Sequence, residues 1–311
     1  MNKSADVTKE TLIKIAYWYY KRNMTQDEIA KRLLMTRQKV NKIIGSLVDL
    51  GIVEIQINGL AEDFTELEYL IEKHFNLTGV SVINSDDFFS KAAGCLNFLF
   101  ENNQTIGLSW GETLGATVNM INHRRLKNSN VIQLAGGMNS KSTFIRPDEI
   151  TRMLASKLGS KFHLLYAPAF VHSIELKEAI INEESVKTTF NYMKGCDLAI
   201  LGVGNLHAES TLGREGFIPR DLLNDMLSAG CVGDVAMLPF KKDGTWYETG
   251  NIIGIDVETL KNIPNVVILA KGAAKTEAVI GAINTGCINT IIIDKDIAQR
   301  IAAEFKLGTT D

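Results

Sequence analysis

The sequence predicts a two-part α/β chain: an N-terminal winged helix-turn-helix over residues 1–57, then a large doubly wound domain with a mostly parallel sheet over residues 58–311. Three observations predict it. Residues 25–50 read as two short amphipathic helices joined by a tight turn. From Val80 onward, short β-branched runs alternate with helical stretches, the pattern of a parallel sheet covered on both faces by crossover helices. A chain of 311 residues also exceeds one typical domain, and it divides naturally into a module of about 55 residues and one of about 250.

Charge and composition narrow the function classes. The whole chain is near neutral, with 33 basic against 36 acidic residues, but residues 1–50 hold ten Lys and Arg against five Asp and Glu. A basic module on an acidic body is expected when only that module meets nucleic acid, and it argues against a general polyanion binder. No apolar run approaches the roughly 18 residues of a membrane helix, and the first ten residues lack a signal-peptide apolar segment. A cytoplasmic protein with no membrane partner is expected. Cys95, Cys196, Cys231 and Cys287 are widely spaced, with no C-x-x-C pair, so reduced core thiols are expected rather than a disulfide or zinc. His163, His172 and His207 show no ligand spacing, and neither a metal nor a cofactor is expected.

In chain order, the first helix is expected over Thr8–Arg22, with Leu12, Ile13, Ala16, Tyr17 and Tyr20 inward and Trp18 and Tyr19 outward. Thr25 followed by Glu28 fits a capping box, which starts a second helix with Ile29, Ala30 and Leu33 on its apolar side. Thr36 caps a third, whose Val40, Ile43, Ile44, Leu47 and Val48 face inward. That leaves Arg37, Gln38, Lys39, Asn41 and Lys42 on the opposite face. Arg pairs with guanine edges, Gln and Asn with adenine, and Lys with phosphates, so this helix suits a major groove. Thr25, Gln26 and Thr36 complete the candidate DNA-facing set. The alternative is a solvated amphipathic helix, and the Leu34–Met35 turn lacks the glycine often found there. Gly51 can end the run, and Ile52, Val53, Ile55 and Ile57 then read as the strand of a wing.

Asn58-Gly59 marks the expected boundary. A helix over Glu62–His74 follows, with Phe64, Leu67, Leu70 and Ile71 on one face, and this helix could act as a dimerising linker. Strands are expected over residues 81–84, 105–110, 131–137, 162–168, 198–204, 252–257, 266–272 and 290–294.

In such a sheet, ligands gather at the carboxyl ends of strands, where glycines admit close approach and helix N-termini present N–H groups to anions. The turn containing Ser109, Trp110, Gly111, Glu112 and Thr113 could cradle a phosphate or be an ordinary strand-to-helix turn, and Glu112 places a carboxylate there. Gly136 and Gly137 end a second strand. Gly204 and Asn205 end a third, in a lone G-x-G that is only half a dinucleotide fingerprint. Beyond a fourth, Gly272 precedes Lys275, whose ammonium could neutralise a phosphate or lie on the surface. Asp234, among small and apolar residues, could accept hydrogen bonds from sugar hydroxyls or cap a local turn.

The N-terminal reader, GLSWGETL at 107–114, QLAGGM at 133–138, LGVGN at 201–205, GCVGDVAMLPFKKDG at 230–244 and the closing KGAAKTEAVIGAINTGCINTIIID resemble the SorC family of bacterial sugar-responsive transcription regulators. The resemblance covers nearly the whole chain. It implies a winged helix-turn-helix joined to an effector domain akin to ribose-phosphate isomerases and glucosamine-phosphate deaminases. It also implies a homotetramer and a phosphorylated sugar or polyol as effector. Ser109 to Thr113 and Lys275 then match the phosphate-side loops, and Asp234 the carboxylate of the sugar pocket. One deoxyribose-related member has an imine-forming lysine before its paired glycines; Ala135 stands there in this chain, so covalent capture is not expected. Two function classes follow: a regulator that binds operator DNA under effector control, with no catalytic residues, or a sugar-phosphate isomerase or deaminase with an appended DNA module. The enzyme would use Asp234 as base and Lys275 as phosphate anchor, and it needs a second acid–base group that the sequence does not identify.

Overall fold

The computed structural model describes residues 7–55, 64–137, 146–207, 210, 212 and 218–308. The chain divides into two compact units, Met1–Glu62 and Asp63–Asp311; the boundary expected at Asn58-Gly59 lies outside the described residues.

In the first unit, α1 spans Lys9–Ala16, α2 Gln26–Leu33 and α3 Arg37–Ser46. Both expected caps form. Thr25 and Glu28 exchange hydrogen bonds in a complete capping box, and the Thr36 hydroxyl accepts the Lys39 N–H at 3.2 Å. Ile15, Ala16, Ile29, Ala30, Val40, Ile43, Ile44 and Leu47 make the core.

Three expectations are corrected here. Leu12, Ile15, Trp18 and Tyr19 turn toward that core, while Ile13, Tyr17 and Tyr20 are exposed. Both sets recur at helical spacing, so periodicity could not choose between them, and the helix continues beyond Ala16 as a π-helical turn over Tyr17–Lys21 that shifts the facing side. Val48 is 45% exposed, because α3 ends at Ser46 and the chain turns away. The wing strand is not formed over the described residues 52–55. Ile52 and Val53 still pack on the core, but their N–H groups both go to the Leu47 carbonyl, which leaves no ladder; Ile57 lies outside the described residues.

The second unit opens with α4 over Thr65–Phe75, starting three residues later than expected. Its seven parallel strands are β1 (Gly79–Ile83), β2 (Thr105–Leu108), β3 (Asn130–Gln133), β4 (Lys161–His163), β5 (Leu198–Asn205), β8 (Asn265–Ala270) and β9 (Thr290–Asp294). They lie in the order β1-β9-β8-β5-β2-β3-β4. Between β5 and β8 in sequence, β6 (Cys231–Val235) and β7 (Leu238–Lys241) form an antiparallel hairpin, and β6 pairs with the far end of β5. This hairpin was not anticipated, and residues 252–257, expected as a strand, make only isolated bridges through Ile252 and Gly254.

Alternate residues of the central strands feed two cores. From β5, Ala199, Leu201 and Val203 point to one face, and Leu198 and Ile200 to the other. The second face is covered by α5 (Phe88–Asn97), α6 (Glu112–Met120) and α7 (Pro147–Leu158). The first is covered by α4, by α9 (Glu184–Lys194), and by two later helices, α12 (Thr276–Asn284) and α13 (Lys295–Phe305). Between these lie α8 (Ile174–Ile181), α10 (Arg220–Ser228) and the short α11 (Val257–Lys261). The edge strand β1 is not left bare: Glu68 and Glu72 of α4 accept the N–H groups of Val82 and Val80 at 2.7 and 2.9 Å, which blunts edge-to-edge pairing. Among the described residues, no helix is long and apolar enough to cross a membrane.

Candidate functional site

The strand order reverses where β2 meets β5, so the loops leaving their carboxyl ends part and open a crevice. A cavity of about 580 Å³ lies there. Trp110, Gly111, Glu112 and Thr113 enter it from the turn after β2, with Leu114 and Ala116 from α6 behind them. Gly111 adopts φ 121°, a conformation closed to most side chains, and it starts α6 without a side-chain cap of its own.

Gly202, Val203 and Gly204 of β5 form the floor, with Asp234 of β6 beside them. A β-carbon on Gly204 would overlap the Asp234 carboxylate, so glycine is the residue that admits the carboxylate at this position. Oδ2 of Asp234 accepts the Met237 N–H at 3.1 Å. It thereby braces the β6–β7 turn, where Ala236 and Met237 both take positive φ, 50° and 66°, strained values for non-glycine residues. Asp234 therefore caps a local turn and lines the cavity as well. Burial pushes its carboxyl up to about 6, against the Met237 hydrogen bond and the Lys275 charge, which pull it down. Burial in turn lowers the Lys275 ammonium, while the carboxylates of Asp234, Glu112 and Asp294 hold it up.

Seven of the twelve expected effector residues thus share one cavity: Trp110, Gly111, Glu112, Thr113, Gly204, Asp234 and Lys275. Five do not line it. The Ser109 hydroxyl is fully buried and accepts the Gly202 N–H at 3.0 Å, which ties β2 to β5. Gly136 is packed against the Pro168–Ala169 backbone, and Gly137 lines a separate cleft near Arg146 and Tyr166. Asn205 is engaged in the β5–β6 pairing. The Gly272 N–H donates to the Asp294 carboxylate at 2.8 Å. Six lining residues lay outside the expected set: Leu114, Ala116, Gly202 and Val203 and, with a ring and a charge to offer, Phe89 of α5 and Lys271 just after β8; the Lys271 ammonium lies over the Phe89 ring, 4.7 Å from its centroid. A lysine directly after a buried strand was a usable signal for Lys271; nothing local marks Phe89.

In the N-terminal unit, Arg37, Gln38, Lys39, Asn41 and Lys42 are all exposed on α3. Two are already held: the Gln26 side-chain amide donates to Asn41 at 3.0 Å, and Arg37 lies 3.7 Å from Asp27. The hydroxyls of Thr25 and Thr36 are occupied as helix caps.

Residues 61–303 match the family described as "Putative sugar-binding domain". Among curated relatives, the erythritol catabolism regulatory protein EryD of Brucella abortus is 25% identical over 96% of this chain and 98% of its own. The transcriptional regulator LsrR of Escherichia coli K12 is 28% identical over 94% of each. Among solved structures, a DeoR family transcriptional regulator from Listeria monocytogenes superposes with a TM-score of 0.70 at 29% identity, covering 76% of this chain and 98% of that one. The full-length sorbitol operon regulator SorC from Klebsiella pneumoniae reaches 0.73 at 22% identity, over 94% of this chain and 99% of that one, and at that identity it speaks for the fold. With more than half its length matched by the sugar-binding-domain model, the chain belongs to that family, and the relatives it matches along their full length are transcriptional regulators.

Proposed function

We propose that α3 reads operator DNA and that a sugar or polyol, phosphorylated or free, binds the strand-end cavity and changes operator affinity. The observation that carries this reading is that the buried Asp234 carboxyl and the Lys275 ammonium line one cavity of ligand size, where each feels the other's charge. A carboxylate and an ammonium recognise hydroxyls and anions, and a site built to hydrogen-bond such groups rejects apolar molecules. The switch requires only that the ligand bind two arrangements of the protein unequally. The proposed DNA-facing set is Arg37, Gln38, Lys39, Asn41 and Lys42, with Gln26 orienting Asn41.

The test is a thermal-shift screen of matched phosphorylated and free sugars and polyols, followed by operator-binding anisotropy with each hit. A hit should raise the melting temperature and shift operator affinity. Ligands that stabilise the protein without moving operator affinity would refute the regulatory coupling.

The proposal includes no catalysis, although Glu112 shares the cavity with Asp234 and would provide the second acid–base group an enzyme needs. The non-catalytic reading is favoured because the relatives of matching length are regulators. Turnover of a bound sugar phosphate followed by NMR would overturn it. A homotetramer is also proposed, supported by large apolar side chains left at the surface, Phe98 at 89% and Tyr166 at 71% exposure. Light scattering tests this: a monomeric mass would refute it.

A further inference from the structure

Two residues of the proposed reading face on α3 are held by the start of α2, and the two contacts differ in what they leave free. Arg37 and Asn41 stand one turn apart on α3, both exposed. The Asp27 carboxylate lies 3.7 Å from the Arg37 guanidinium, and the Gln26 Nε2 group donates to Asn41 Oδ1 at 3.0 Å. A guanidinium carries only donors, so its chemistry is the same however it is held. A side-chain amide has an acceptor end and a donor end, and a half turn about its last bond exchanges them. Gln26 decides between the two ends. With Oδ1 committed to Gln26, Asn41 keeps both Nδ2 hydrogens for another partner. Gln26 is only partly exposed and is the first residue of α2, where the positive end of the helix favours an amide oxygen turned toward the helix and an NH2 group turned away.

We infer that Gln26 is the positioning residue that sets the base read by Asn41, and that this base is guanine. An unheld asparagine suits adenine, accepting from N6 with Oδ1 while Nδ2 donates to N7. Guanine instead presents two adjacent acceptors, N7 and O6, in the major groove. The Nδ2 group can serve both while Oδ1 keeps its bond to Gln26. Bidentate pairing with adenine would draw Oδ1 onto N6 and loosen that bond. The difference is the net worth of about one hydrogen bond, which is a preference of about fivefold. This rests on the reading of α3 as the DNA-facing helix, and it reverses the base that the residue type alone suggests.

Selection of bound sequences from a random duplex library, run on the full-length chain and on Asn41→Ala, tests the assignment. The base position whose preference is lost in Asn41→Ala is the one Asn41 reads. Fluorescence anisotropy then compares guanine with adenine at that position for the wild-type chain, Gln26→Ala and Gln26→Glu. The ratio within each protein is the readout. A general loss of affinity, such as the added Glu charge would cause, cancels in it, and a merely structural role for Gln26 would leave it unmoved. The wild-type chain should favour guanine by about fivefold. Gln26→Ala should abolish that preference or turn it to adenine. Gln26→Glu should favour adenine, because a carboxylate can only accept, takes Nδ2 and turns Oδ1 outward. A wild-type preference for adenine, or a guanine preference that survives in Gln26→Ala, would overturn the positioning role and leave the reading of α3 intact. An Asn41→Ala selection identical to that of the wild-type chain would remove Asn41 from the base-reading set, and this inference with it. No enriched sequence from the wild-type chain would overturn the reading of α3 as the DNA-facing helix.

Discussion

Helix α3 of the first unit and the cavity of the second carry polar and charged side chains under opposite solvation. On α3, Arg37 and Asn41 stand in water, steered by single contacts to Asp27 and Gln26. An exposed ion pair of that kind is worth roughly 0–1 kcal/mol, so these groups can exchange their protein partners for DNA at little cost. In the cavity, Asp234 is buried, braces a strained turn and has its carboxyl raised to about 6. The difference teaches where folding and function separate. Substitutions on α3 should change binding and leave stability alone, whereas substitutions in the cavity should change both.

The largest expected effect is the cavity's pH dependence. The folded carboxyl of Asp234 sits near 6, against an ordinary value of 3.8. The native state therefore binds more protons than the unfolded chain between those values, and stability falls as pH rises through the window. At about 1.36 kcal/mol per pH unit, this single group should remove about 3 kcal/mol between pH 3.8 and 6. Asp234→Asn keeps an oxygen to accept the Met237 N–H and does not titrate. Urea denaturation of both proteins from pH 4 to 7 should show the wild-type chain losing stability relative to the variant as pH rises. A constant difference across that range would mean that Asp234 is not buried as described.

Next in size is Arg37→Ala, which should weaken cognate operator binding by about 2 kcal/mol and unrelated DNA much less, with the melting temperature unchanged. Equal losses on both DNAs would make Arg37 a phosphate contact, and a drop in melting temperature would break the contrast between the two regions. A smaller effect should come from Leu34, which occupies the left-handed region at φ 51° while 95% exposed. Leu34→Asn should stabilise the N-terminal unit by about 1 kcal/mol, since Asn tolerates that conformation and almost no packing is lost. Thermal unfolding measures this, and destabilisation would show that Leu34 has a packing partner. The smallest effect is expected from Asp27→Asn, which should tighten operator binding by less than about tenfold by releasing Arg37 and removing a like charge from the DNA's approach. Weaker binding would instead show that Asp27 orients Arg37.

By itself the sequence determined what local chemistry determines. The Thr25–Glu28 capping box, the Thr36 cap and the exposed set on α3 lie within one or two helical turns, so residue spacing carries them, as it carries the β-branched runs that became β1, β2, β5, β8 and β9. Where two local patterns compete, spacing is silent: Ile13, Tyr17 and Tyr20 repeat as well as Leu12, Ile15 and Tyr19 do, and only packing against α2 and α3 chose between them. The cavity belongs to the second kind of information. Phe89, Trp110, Asp234 and Lys271 come from four separate stretches, brought together because parallel strands place their carboxyl ends side by side. Tertiary structure also reassigned residues of the right chemical type. The Ser109 hydroxyl was drawn into the β2–β5 seam, where it accepts the Gly202 N–H, and the Gly272 N–H was taken by Asp294. A polar group's role depends on which buried partner needs it, because leaving that partner unsatisfied costs more than most local preferences. That partner lies 93 residues away in one case and 22 in the other.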